Sequence, residues 1–329
     1  MKKVGLSTFL MIAFCIAIPK VLANDLQDIL QKWGKAKVVS EIQSQVSKVK
    51  GKIVFVRQKN LWIANADGKN ARQLTKSRDC FEPNWDSTGT KIVYVRTTST
   101  QFRPTGYLWC YDLKSGSVKK ISNSPKHCLP QWSPDGRWIA FLTAQPQIAE
   151  LTIYNLDIVA SSGGKSKTIK KGVGSKGYAL AWSPDSRRLS YAAGEEPRIE
   201  IIELSNPARA SVIYTCRIQS PFNSINNLQW FSPTQILFVE QPLDAQEGLG
   251  WKVMAIDLSS GRSKVILSQM SESGDNSCQY CFLGRENIYW AATSHFTMGG
   301  EVGSMTLYMN SKAIVTINNA HSPNWTPIN

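Results

Sequence analysis

The chain of 329 residues carries three histidines, His127, His295 and His321. His127 stands five residues before Trp132, and His321 stands four before Trp325. At comparable offsets before other tryptophans are Phe81 and Glu82, Tyr178, and the pair Asn226 and Asn227, while Asn276 precedes Cys281. Imidazole, carboxylate, amide and aromatic groups gathered at one opening would suit a peptide or a sugar. Two imidazoles and a carboxylate could also hold a cation, and such polar groups could equally line a water-filled channel. Covalent catalysis needs a nucleophile with a base and an orienting acid. No Gly-x-Ser-x-Gly elbow and no His-Glu-x-x-His spacing occurs. The residues therefore point to binding, with no catalytic group, metal or cofactor expected.

What could bring these positions together is a repeat. Trp85, Trp132, Trp182 and Trp230 are spaced 47, 50 and 48 residues apart. One period further on stands Cys281-Phe282, and 44 residues after Cys281 stands Trp325. Each copy follows its tryptophan with a turn such as Ser-Pro-Asp-Gly at 133–136, in which proline presets φ and glycine tolerates the left-handed region. An alternating run comes next, as in "KIVYV", "RRLSYA" or "QILFVE". A third run ends near Asp112, Glu203 or Asp257, and a fourth short run closes the copy. Short β runs at this period predict an all-β, six-bladed β-propeller over 51–329. Residues 52–75 supply all but the tryptophan strand of a blade, and "SPNWTPI" supplies that strand. Pairing of the N- and C-terminal strands would then close the ring and leave no blade without a neighbour. The tryptophans read as wedges between sheets rather than as a site.

The first 23 residues read as a secretory leader: Lys2 and Lys3, an apolar run from Gly5 to Pro19, then small residues at Val21-Leu22-Ala23. Cleavage there would take the formal charge from +14 to +11 by removing Lys2, Lys3 and Lys20. A periplasmic or secreted, monomeric protein is expected, with no nucleic-acid partner for an exported chain. The basic residues are spread along the chain, with a modest concentration at "KSKTIKK", Lys165 to Lys171. A positive field favours anionic partners, an anionic polysaccharide among them. Residues 24–50 read as a tail or one short helix with Leu26, Ile29, Leu30 and Trp33 on one side.

The phrase "WSPDGRWIAF", the period and the ring closure resemble the TolB-like six-bladed propellers of the bacterial Tol-Pal envelope system. The resemblance covers roughly 51–329 and implies a periplasmic scaffold whose mouth receives a lipoprotein. TolB proteins carry an α/β domain before the propeller that contacts an inner-membrane partner; here only residues 24–50 stand in that place. The same blade repeat also accompanies peptidases of the prolyl-oligopeptidase type, but no hydrolase-sized segment remains here after six blades. The reading is an exported, non-catalytic scaffold for an envelope protein or lipoprotein. The alternative is a metal-assisted lyase or hydrolase of acidic polysaccharide working at the mouth.

Six cysteines remain after the leader: Cys80, Cys110, Cys128, Cys216, Cys278 and Cys281. An even count in an oxidising compartment suggests bridges. Cys80 and Cys128, at similar offsets in adjacent copies, are the pair expected to join. Cys278-x-x-Cys281 lacks the second pair that a zinc site would need.

Overall fold

The computed structural model describes residues 51–98, 105–146, 153–173, 177–194, 196–216, 223–242, 251–269, 277–283, 288–297, 300–309, 312–318 and 321–325. Both the leader and the expected helix at 24–50 lie outside the described residues. The described strands pair into six sheets: four of consecutive strands, one of consecutive strands joined by the earlier Gly177–Tyr178, and one shared by the two ends of the chain. Blade 1 joins His321–Trp325 to Lys52–Arg57, Asn60–Asn65 and Arg72–Gln73. Blade 2 runs from Cys80–Trp85 to Val118–Lys120, and blade 3 from His127–Trp132 to Lys167–Val173. Blade 4 runs from Leu180–Trp182 to Asn206–Thr215, blade 5 from Asn223–Ser232 to Arg262–Gln269, and blade 6 from Ser277–Leu283 to Lys312–Asn318.

The first strand of every blade packs against the first strands of its two neighbours. The circle closes where His321–Trp325 touches both Ser277–Leu283 and Cys80–Trp85. In the shared sheet Ile53 pairs with Trp325, Val54 with Asn324 and Val56 with His321.

The second strands explain why the sheets must face one another. In Lys52–Arg57 and Lys91–Arg96 the four central residues are all buried, so both faces of the strand are covered. Ile92 and Tyr94 pack with Val54, Val56, Leu61 and Ile63 of blade 1, whereas Val93 and Val95 pack with Ile139 and Phe141 of blade 3. The same division recurs between blades 3 and 4 and between blades 4 and 5. Each tryptophan sits where the sequence pattern places it, wedged against the preceding blade: Trp85 with blade 1, Trp132 with blade 2, Trp182 with blade 3 and Trp230 with blade 4.

The turns after the tryptophans hold themselves. Ser133 Oγ donates to Asp135 Oδ1 at 2.5 Å and accepts from the Trp138 N–H, and Gly136 takes the left-handed position at φ 70°. Ser183 and Asp185 repeat the arrangement, and the Ser186 hydroxyl accepts the Asp135 N–H at 3.0 Å, tying turns of adjacent blades together. At the far end of the third strands, Asp112 and Asp257 each accept two backbone N–H groups of the following turn. These bonds hold both carboxyls below the usual carboxylate range.

The expected bridge between Cys80 and Cys128 is not formed; both side chains are thiols, as are Cys110 and Cys216. Strand alternation is the reason. Cys80, five residues before its tryptophan, faces blade 1 beside Thr75 and Ser77. Cys128, four before its own, faces blade 4 beside the Leu142 carbonyl. The two side chains point to different seams of the ring. Cys278 and Cys281 belong to a strand described by its backbone pairing.

The shared sheet makes a direct prediction. Removing residues 322–329 strips the first strand from blade 1 and uncovers Val54 and Val56. The expected loss is roughly 3 kcal/mol or more, comparable with severe core truncation, read as a lowered midpoint in urea. An unchanged midpoint would contradict the closed ring.

Candidate functional site

The candidate residues gather at the edge where the first strands begin, and here the first strands do not pair regularly. Register is broken between Phe81 and Asn84, between Cys128 and Gln131, and between Asn226 and Gln229. At the same position within each break, three residues before the tryptophan, Glu82, Leu129 and Asn227 adopt left-handed φ values of 49°, 53° and 52°. Asparagine tolerates that region, while Glu and Leu occupy it at a cost of about 1 kcal/mol. Such a bulge takes backbone groups out of the ladder, and they need other partners.

Glu82 supplies one. Its Oε2 accepts the Leu129 N–H at 2.5 Å, and the carboxylate is only 6% exposed. Two residues on, Asn84 Oδ1 accepts the Trp132 N–H at 2.9 Å, and Asn84 Nδ2 donates to Gln131 Oε1 at 2.9 Å. Further round the ring, Trp182 Nε1 donates to the Gln131 carbonyl and Trp230 Nε1 to Ser190 Oγ, each at 3.0 Å. Glu82 is therefore a latch between blades 2 and 3. Its offset from the tryptophan puts it at the opening, but its left-handed backbone turns the carboxylate toward the next blade.

His127 is likewise taken inward. It is 5% exposed, its Nδ1 lies 3.1 Å from Thr143 Oγ1, and its ring meets Phe141 edge-on at 4.6 Å. Thr143 Oγ1 donates in turn to Asp157 Oδ2, completing a His–Thr–Asp chain across three strands of blade 3. Asp157 Oδ1 is buried without a hydrogen-bond partner. Burial drives the His127 pKa down to about 4, with Asp157 pulling weakly the other way. The imidazole is thus neutral at pH 7 and fixed by packing.

The remaining candidates divide. Phe81 is half-buried, with the Lys59 ammonium 5.7 Å from its ring centre. Asn226 is 8% exposed and donates from Nδ2 to Ser224 Oγ, while Asn227 is half-buried. The backbone of Tyr178 does meet a fellow candidate: Gly177–Tyr178 pairs in parallel with Ile225 and Asn226 of blade 5 rather than with blade 4. His321 opens the shared first strand opposite Val56. Tyr178 and His321 are described by backbone alone, and Asn276 lies outside the described residues. No cluster of three or more His, Cys, Asp or Glu side chains able to hold a metal occurs among the described residues.

Sequence reasoning missed Asn84, Gln131, Thr143 and Asp157. Asn84 and Gln131 each precede a tryptophan, a regularity visible in the repeat. Thr143 and Asp157 lie in the second and third strands of blade 3 and carry no linear signal.

Two substitutions test these contacts. Glu82→Ala leaves the Leu129 N–H buried and unpaired, so unfolding free energy should fall by about 2 kcal/mol, and unaltered stability would remove the latch. The folded pKa of His127 lies below its unfolded value, so its contribution is intact above about pH 6.5 and is lost as pH falls toward about 4. That loss amounts to about 3 kcal/mol at most. Replacing His127 with Gln should flatten the stability profile in that window, and the same slope in both proteins would contradict the assignment.

Residues 40–327 match the family model described as the TolB beta propeller domain. Over 138 residues the chain is 30% identical to an uncharacterized peptidase, YuxL, of Bacillus subtilis (strain 168), a match covering 40% of this chain and 20% of that protein. TolB from Acinetobacter baumannii superposes with a TM-score of 0.62 at 18% identity, over 84% of this chain and 67% of that one. An oligogalacturonate lyase solved with manganese superposes at 0.50 and 11% identity, over 75% of this chain and 67% of that one. At such identities the two structures share the fold alone. Ring closure, blade grammar and a family match across most of the chain agree: the protein belongs to the TolB beta propeller domain family.

Proposed function

We propose that the protein is an exported, non-catalytic scaffold that holds a segment of an envelope protein, a lipoprotein by the family resemblance, at the opening where the first strands begin. The observation that supports this most is the engagement of the acid–base groups nearest the opening. Glu82 is committed to the Leu129 N–H, and His127 is neutral and packed against Phe141. A general base must reach its proton in a plausible substrate pose, and neither group is placed to do so. What the opening offers instead is a stiff rim, and loops on rigid scaffolds commonly carry recognition. The leader-like N-terminus supports export.

The test uses the mature full chain as bait in an envelope extract, followed by mass spectrometry and titration of the purified prey. The scaffold reading expects one envelope protein, bound equally well by wild type and by His127→Ala once both are shown to be folded. It also expects no cleavage of polygalacturonate in the presence of manganese or calcium. Recovery of glycan fragments alone, or a cleavage activity that His127→Ala abolishes, would replace the scaffold with the lyase.

A further inference from the structure

The basic residues look scattered in the sequence, but the fold draws six of them along one edge of blades 1 to 3. At the edge where the first strands begin, blades 1 to 3 are stitched together. The Cys80 N–H donates to the Lys59 carbonyl at 2.9 Å across the seam between blades 1 and 2, while Thr97 N–H to the Asp79 carbonyl and Ala144 N–H to the Lys126 carbonyl fix the same edge within blades 2 and 3. Gly106 and His127 exchange backbone bonds across the seam between blades 2 and 3. These links make one continuous arc from Lys59 through Lys76, Arg78, Arg96 and Lys120 to Lys126, with Lys76, Arg78, Lys120 and Lys126 exposed.

The carboxylates described within this arc are both occupied. Asp79 pairs with Arg96 at 2.8 Å, and Glu82 is buried on Leu129. At the opposite edge of these blades some cations have an acid beside them, Asp67 by Lys69, Asp112 before Lys114 and Asp135 on Arg137, while Lys52, Arg72, Lys91, Lys165 and Lys167 add further positive charge. Six cations against two engaged carboxylates leave the arc positive.

The arc's cations are also held in place. Arg96 stacks 4.6 Å from the Trp109 ring centre, Lys120 Nζ lies 3.6 Å from that of Tyr107, and Lys59 Nζ lies 5.7 Å from that of Phe81. Aromatic faces fix such groups and leave outward N–H donors for an anion. A protein-docking surface would be expected to present an apolar anchor. The exposed large hydrophobics among the described residues are Val118, Val212, Phe231 and Val265, and of these only Val118, on the short strand of Lys120, lies beside the arc.

We propose that this arc on blades 1 to 3 binds a carboxylated glycan chain, a polymer whose recognisable chemistry is a row of evenly spaced anions. This is a binding surface on the rim, separate from any protein held at the opening.

The test is titration of the mature full chain with polygalacturonate at low and at physiological salt, with dextran as the uncharged control and poly-glutamate as the peptide polyanion. Lys76→Glu with Lys126→Glu should weaken polygalacturonate binding about tenfold or more. Lys114→Glu with Lys264→Glu, of identical net charge but away from the arc, should leave affinity within about twofold. Lys120→Glu serves as a second arc variant if thermal melting shows the first to be misfolded. Equal weakening by the two double variants would reduce the effect to net charge. Poly-glutamate bound as tightly as polygalacturonate and lost in the same variant would reassign the arc to an acidic protein segment. No binding of polygalacturonate by wild type would end the proposal, whatever the envelope capture returns.

Discussion

A strand that is apolar on both faces has to be covered twice, and that constraint organises this molecule. Ile92 and Tyr94 look one way and Val93 and Val95 the other, so blade 2 is stable only between two neighbours. The same holds of blades 1, 3 and 4 through their own second strands. A row of such sheets has two uncovered ends, and burying apolar area is the dominant favourable contribution to folding. Bending the row until its ends meet solves the problem. The shared sheet, with Ile53 opposite Trp325, is the join.

Polar groups refine what burial sets up. Side chains of the first strands reach across the seams, from Glu82 and Asn84 to blade 3 and from the Trp182 and Trp230 indoles to the blade before. The bulges that free these backbone groups lie at the rim of the opening. The price is a left-handed backbone at Glu82 and Leu129, neither of which favours it.

Much of the architecture was legible in the sequence because it repeats. The tryptophan spacing, the Ser-Pro-Asp-Gly turns and the incomplete copy at residues 52–75 led to the ring and its closure, and the wedge role of Trp85, Trp132, Trp182 and Trp230 came with them. The site was less legible. Offset from a tryptophan located His127 and Glu82 along the strand but not the direction of their side chains, since a bulge rotates the residues around it. Cys80 and Cys128 were set apart by a single residue of offset, enough to send their thiols to different seams. The basic arc was invisible because its members come from separate blades, while "KSKTIKK" at Lys165 to Lys171, the densest basic run, lies on an outer strand.

The departure of Gly177–Tyr178 from its own blade has a mechanical meaning. Elsewhere the described seams are held by side chains and by backbone links at single positions, which can give way one at a time. Between blades 4 and 5 a length of main chain is hydrogen-bonded across the boundary. Shear there must break neighbouring ladder bonds together with the packing, so under load the two blades behave as one double-width plate, and the rest of the ring deforms around it.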